Sequence, residues 1–126
     1  MTNIFFILIG GSAGVLSRYF FTNFVNNFWK SDFLIATIII NLIGSFIMGA
    51  VSAYADIQVI DPKLKDMLTV GFLGCFTTFS TFSVESLRYL NNSEYFKAGA
   101  NILISNLGGL IMVAAGYYLV KYILNR

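Results

Sequence analysis

The amino-acid sequence predicts an all-α integral membrane protein with four transmembrane helices, the third of them broken near its middle. Three observations carry this. Apolar residues make up 57% of the 126, and charged residues only 11%, against roughly a quarter in soluble domains. Mean hydropathy is +0.76. Four stretches meet the length of about 20 mostly apolar residues that a helix needs to cross a hydrocarbon core of roughly 30 Å. High hydrophobicity with a net charge of +2 is the opposite of a disordered composition. Residues 1–126 therefore read as a single four-helix transmembrane domain.

The first span is Ile4–Thr22, with Arg18 near its end. It has no basic leader region and three more spans follow it, so it reads as retained and not as a cleaved signal. The second is Phe33–Tyr54, without charge, and the fourth is Ala98–Val120, likewise uncharged. The third is Met67–Leu87, with Glu85 near its end. The connections are Asn23–Asp32, Ala55–Asp66 and Arg88–Lys97, and the only proline, Pro62, lies in the second of them.

Residues 71–85 of the third span, GFLGCFTTFSTFSVE, are poor material for a regular helix. Two glycines accompany the hydroxyls of Thr77, Thr78, Ser80, Thr81 and Ser83. Hydroxyl side chains compete for backbone hydrogen bonds, and threonine is stiff at χ1. A break at membrane depth is tolerated where the backbone is buried in protein or lines a cavity. It frees carbonyls for a cation and N–H groups for an anion. Phe72, Phe76, Phe79 and Phe82 would fall along one face of an unbroken helix. The first two read as packing. Phe79 and Phe82 sit among hydroxyls, and the positive edge of an aromatic ring suits contact with an anion.

Small residues recur at four-residue steps, the spacing that lets membrane helices approach closely. Span one has Gly10 and Gly14. Span two has Thr37, Asn41, Ser45, Gly49 and Ala53. Span four has Asn101, Ser105 and Gly109. Asn41 stands out, because an unpaired carboxamide at mid-membrane costs several kcal/mol. It reads either as an interhelical hydrogen bond or as a neutral donor facing a polar pathway.

With four spans, Lys63, Lys65, Lys121 and Arg126 fall on one side, and Arg18, Lys30, Arg88 and Lys97 on the other. Lys/Arg excess normally fixes orientation. An even split points to dual topology and an antiparallel homodimer. The sequence has no histidine and one cysteine, Cys75, which excludes structural zinc sites and nucleophile–histidine catalysis. Nothing reads as nucleic-acid binding or as an enzyme.

GCFTTFSTF on span three, Asn41 within NLIGS on span two and GGSAGVLSRY on span one together resemble the Fluc/CrcB family of fluoride channels, in order and over essentially the whole chain. The resemblance implies a passive, fluoride-selective channel of the bacterial inner membrane. It implies an antiparallel dual-topology homodimer with two pores that export fluoride. The implied fluoride pathway comprises Asn41, Phe79 and Phe82, with Thr78, Ser80, Thr81 and Ser83 as hydroxyl candidates and Asn101 and Ser105 on span four. Backbone carbonyls of Gly74 and Thr77 would hold a structural sodium ion on the dimer axis. Arg18 and Glu85 would be vestibule or structural charges. The alternative is a small dual-topology, proton-coupled multidrug-type exporter, for which Glu85 is the carboxylate to consider. A further rival is a non-transporting subunit of a larger assembly.

Overall fold

The computed structural model describes residues 2–29 and 34–125, all helix and short connections. Helix α1 runs Thr2–Trp29 and α2 runs Leu34–Ile57. Helix α3 covers residues 62–76 in three parts: an α turn at Pro62–Asp66, a π-helical stretch at Met67–Leu73 and a last turn at Gly74–Phe76. Helix α4 is Phe79–Asn91. Helix α5 spans Tyr95–Leu124, with a second π-helical stretch at Ile104–Gly108. Among the described residues four helical segments are long and apolar enough to cross a membrane, with α3 and α4 forming the third.

The helices outrun the apolar stretches. Helix α1 continues to Trp29, through residues expected in a connection. Helix α2 reaches Ile57, and α5 starts at Tyr95. Asparagine and lysine at a helix end can stand in the headgroup region without unwinding it. Pro62 is not a loop residue either. It occupies the first helical turn, where a missing N–H costs nothing, and Asp61 caps that turn by accepting from the Lys63 N–H at 2.8 Å. The α4–α5 turn reverses the chain in three residues, with Ser93 at φ 60°. Lys30 and Arg126, which enter the charge balance, lie outside the described residues.

Packing follows the glycines. Helix α2 lies mainly against the Gly109–Leu124 part of α5, and α1 against the π-helical stretch of α3. A Cβ at Gly49 would run into the Val113 carbonyl, and one at Gly116 into the Phe46 carbonyl. Each helix thus supplies a glycine for the other's backbone. On the other side, Gly10 faces the Met67 carbonyl and Gly14 the Phe72 carbonyl. Gly71 closes the same seam, its Cβ position lying 2.7 Å from Ile7 O. Without a hydrophobic drive between helices in lipid, such close approach is what holds them. The outside is correspondingly apolar: Phe5, Leu8, Phe20, Phe24 and Leu110 are among many large side chains left exposed.

The four phenylalanines fall into two pairs on either side of the expected break. The chain leaves the helix between Phe76 and Phe79. Phe72 and Phe76 stack at 5.8 Å, while Phe79 and Phe82 form a separate tilted pair at 5.3 Å.

These seams give an internally controlled prediction. Gly49→Ala and Gly116→Ala, each forcing a backbone apart, should lower the melting temperature by an amount equivalent to about 1–3 kcal/mol. Gly99→Ala, with no atom within 4 Å of the new Cβ, should be neutral or stabilise by up to about 1 kcal/mol. Thermal unfolding of the purified protein in detergent reads all three.

Candidate functional site

The site begins where α3 stops. Thr77 (φ −77°, ψ 159°) and Thr78 (φ −148°, ψ 119°) are extended, and the helix resumes at Phe79. The Thr77 N–H and hydroxyl both donate to the Leu73 carbonyl, at 3.0 and 2.9 Å, ending α3. Thr78 opens α4 as its N-cap. Its hydroxyl accepts from the Thr81 N–H at 3.3 Å and donates to the Thr81 hydroxyl at 2.9 Å. An N-cap of this kind relieves one of the orphan N–H groups at a helix start.

The extended residues are paired by a side chain. The Thr78 N–H donates to Asn41 Oδ1 at 2.8 Å, and Asn41 Nδ2 donates to the Thr78 carbonyl at 3.0 Å. One carboxamide thereby satisfies both backbone groups of the residue that leaves the helix. Of the two open readings of Asn41, the interhelical bond is present. A carboxamide has two N–H donors, and the bond to Thr78 uses one. Gly44, one turn along α2, gives the room: a Cβ there would overlap the Thr77 methyl.

Beside the break lies an open cavity of about 280 Å³. Asn41, Gly44, Ser45 and Met48 line it from α2, Thr77 and Thr78 from the break, Phe79 and Phe82 from α4, and Ser105, Asn106 and Val113 from α5. Its polar groups are hydroxyls, carboxamides and backbone. Phe82 is buried at 8% exposure, whereas Phe79 is 75% exposed, so the pair runs from the interior to the outer surface of the chain.

The structure sorts the remaining sequence candidates. Thr78 and Ser105 reach the cavity. Ser80 and Thr81 line a different hollow of about 370 Å³, together with Val84, Glu85 and Arg88. Ser83 is exposed and bonds back to the Phe79 carbonyl at 2.9 Å. Asn101 is wholly buried and absent from the cavity lining. It donates to the Ser86 hydroxyl at 2.9 Å and accepts from the Ser105 hydroxyl at 3.2 Å. Glu85 is buried, and Thr37 donates to its Oε1 at 2.8 Å. Arg18 reaches the break from α1, donating to the Thr77 carbonyl at 3.4 Å.

Sequence reasoning missed Asn106 and left Ser45 as packing only. Ser105 and Asn106 are consecutive in the π-helical turn at Ile104–Gly108, and both meet the cavity, as the consecutive Gly44 and Ser45 do on α2.

The family model described as "CrcB-like protein, Camphor Resistance (CrcB)" matches residues 5–117. The chain belongs to the CrcB family. Curated relatives include the "Fluoride-specific ion channel FluC" of Shewanella frigidimarina, 40% identical over 95% of this chain and 97% of the relative. The FluC 1 protein of Bacillus cereus is 37% identical over 100% of this chain and 94% of the relative. The FluC protein of Shewanella woodyi is 38% identical over 95% of this chain and 97% of the relative. The CrcB-family relatives are ion channels by name, which places this chain among transporters and not enzymes.

The geometry predicts that Thr78→Val, which keeps the shape and the backbone pairing to Asn41 but removes the cap, lowers stability by about 1 kcal/mol. Thermal unfolding of wild type and variant measures it.

Proposed function

We propose that this protein is a passive fluoride channel, highly selective over larger anions, working as an antiparallel dual-topology homodimer with two pores. The observation that carries the reading is the cavity at the clamped break, lined by neutral donors and a phenylalanine pair, in a chain whose relatives are named fluoride-specific ion channels.

Fluoride is small and strongly hydrated, so the pathway has to replace water with donors. The second N–H of Asn41 and the ring edges of Phe79 and Phe82 are such donors; the hydroxyls of Thr78 and Ser105 border the same space with their protons given to Thr81 and Asn101, and would have to turn to meet the ion. Ser80, Thr81 and Ser83 extend the hydroxyl set outside this cavity. All are uncharged. Permeation requires binding strong enough for the ion to enter and weak enough for it to leave. A lysine or arginine at this point would hold the anion too tightly.

The homodimer reading rests on the even charge split and on Phe79. Its 75% exposed ring leaves the cavity's aromatic wall open on one side, where a second copy would close it. In a bacterial inner membrane, inside-negative potential would drive fluoride outward through such a pore, so the physiological direction is export. The four-helix chain acts as one unit per subunit.

Sodium at the dimer centre suits the break. The Thr78 N–H that would close an α-helical turn onto the Gly74 carbonyl is taken by Asn41. Thr77 ends in extended backbone with its carbonyl beyond the helix. Gly74 and Thr77 from two copies would give four backbone oxygens, hard donors of the kind that an alkali cation takes at a helix break. The ion's part would be to tie the two breaks together.

Liposomes carrying the purified protein should release fluoride without an applied proton gradient, and release chloride at least a hundredfold more slowly. Ion-selective electrodes for the two anions read this directly. Equal fluxes, or fluoride release only with a proton gradient, would overturn the assignment; the second result would favour a proton-coupled exporter.

A further inference from the structure

We propose that Asn101 is a positioning residue: it fixes Phe82 and Ser105, two cavity walls on different helices, relative to one another. The inference rests on reading that cavity as the fluoride pathway.

Asn101 has 0% exposure. Its Nδ2 donates to Ser86 Oγ at 2.9 Å and lies 3.4 Å from the Phe82 carbonyl. Ser86 Oγ donates to that same Phe82 carbonyl at 2.9 Å. On the acceptor side, Asn101 Oδ1 takes the Ser105 hydroxyl at 3.2 Å. Ser86 and Asn101 are both buried and neither lines the cavity, whereas Phe82 and Ser105 do. The carboxamide is therefore a brace behind the wall. It joins α4 to α5 at the level of the inner phenylalanine.

The brace is stiff for a physical reason. A buried amide has no water to fall back on, so every departure from this arrangement leaves a desolvated donor or acceptor unpaired. The bonds also share atoms: Ser86 Oγ receives from Asn101 and passes its own proton to Phe82, so each bond polarises the next. The Phe82 carbonyl gathers donors from two side chains on top of its place in the helix. Its ring is thereby set on a backbone that cannot rotate about the α4 axis without breaking the network. The Ser105 hydroxyl is tied to the same amide, so the width between the aromatic edge and the hydroxyl is held. For an anion as small as fluoride that width decides how well donors replace water, and hence how chloride is refused.

Two variants and two readouts test this. Asn101→Leu keeps the branching at Cγ and removes the bonds to Ser86, Phe82 and Ser105, leaving only the Ser86–Phe82 bond within α4. Ser86→Ala, at a residue away from the cavity, removes the relay through the Ser86 hydroxyl and leaves the longer Asn101–Phe82 contact and the Ser105 bond. In liposomes both should lower the fluoride-to-chloride flux ratio at least fivefold, Asn101→Leu more strongly, and the double variant should be no worse than Asn101→Leu. In parallel, 4-fluorophenylalanine at position 82 should give one narrow ¹⁹F resonance in the parent protein and a broadened or split one in each variant. A normal ratio and an unchanged resonance in both variants would overturn the proposal, whatever their melting temperatures. So would loss of flux in Asn101→Leu with Ser86→Ala unaltered in both readouts, since Asn101 would then be acting on the ion directly. If the parent protein moves no fluoride, the functional reading fails, and the ¹⁹F spectra alone decide whether the brace holds Phe82.

Discussion

One carboxamide holds the third span open. The helix would close across Thr77 and Thr78 if their backbone groups had only each other and lipid to choose from, because an unpaired peptide group in hydrocarbon costs several kcal/mol. Asn41 offers both an acceptor and a donor, in register with the Thr78 N–H and carbonyl. The extended residues thus keep their hydrogen bonds without keeping the helix. The α4 cap, the cavity and the separation of the phenylalanines into two pairs all depend on that exchange.

The rest of α2 serves the same geometry along one face. At four-residue steps, Thr37 holds Glu85, Asn41 holds Thr78, Ser45 lines the cavity, and Gly49 lets α5 come into backbone contact. Close packing at Gly49 and Gly116 brings Ser105 and Asn106 to the far wall. The Gly10, Gly14 and Gly71 seam fixes α3 against α1, from which Arg18 reaches the Thr77 carbonyl. Both ends of the break are therefore held by polar groups from neighbouring helices, and the apolar exterior is left to lipid.

Much of this was legible in the sequence. The four spans followed from hydropathy and length, and the break from glycines and hydroxyls crowded into residues 71–85. Asn41 was conspicuous because a mid-membrane carboxamide needs a partner; the identity of that partner was not, since it is a backbone group 37 residues away. Helix ends were misread because apolar length measures the hydrocarbon layer, and α1 continues past it to Trp29. The phenylalanines divide at the expected break into the two pairs that their neighbours in the sequence distinguish. Asn106 was missed because only the four-residue row through Asn101 and Ser105 was followed, and the next residue along the helix borders the same cavity. Spacing alone put Asn101 on the same row as Ser105, and only packing distinguishes a wall residue from one behind the wall.

On the proposed reading, the Asn41 clamp maintains the break that borders the anion's cavity. Fluoride efflux from liposomes containing Asn41→Leu, a substitution that keeps the branching at Cγ and can neither accept from nor donate to Thr78, tests it most directly. The rate should fall at least tenfold relative to the parent protein, in a variant that still purifies as the same species. Efflux at the parent rate would contradict it, because the break would then stand, and conduct, without the carboxamide.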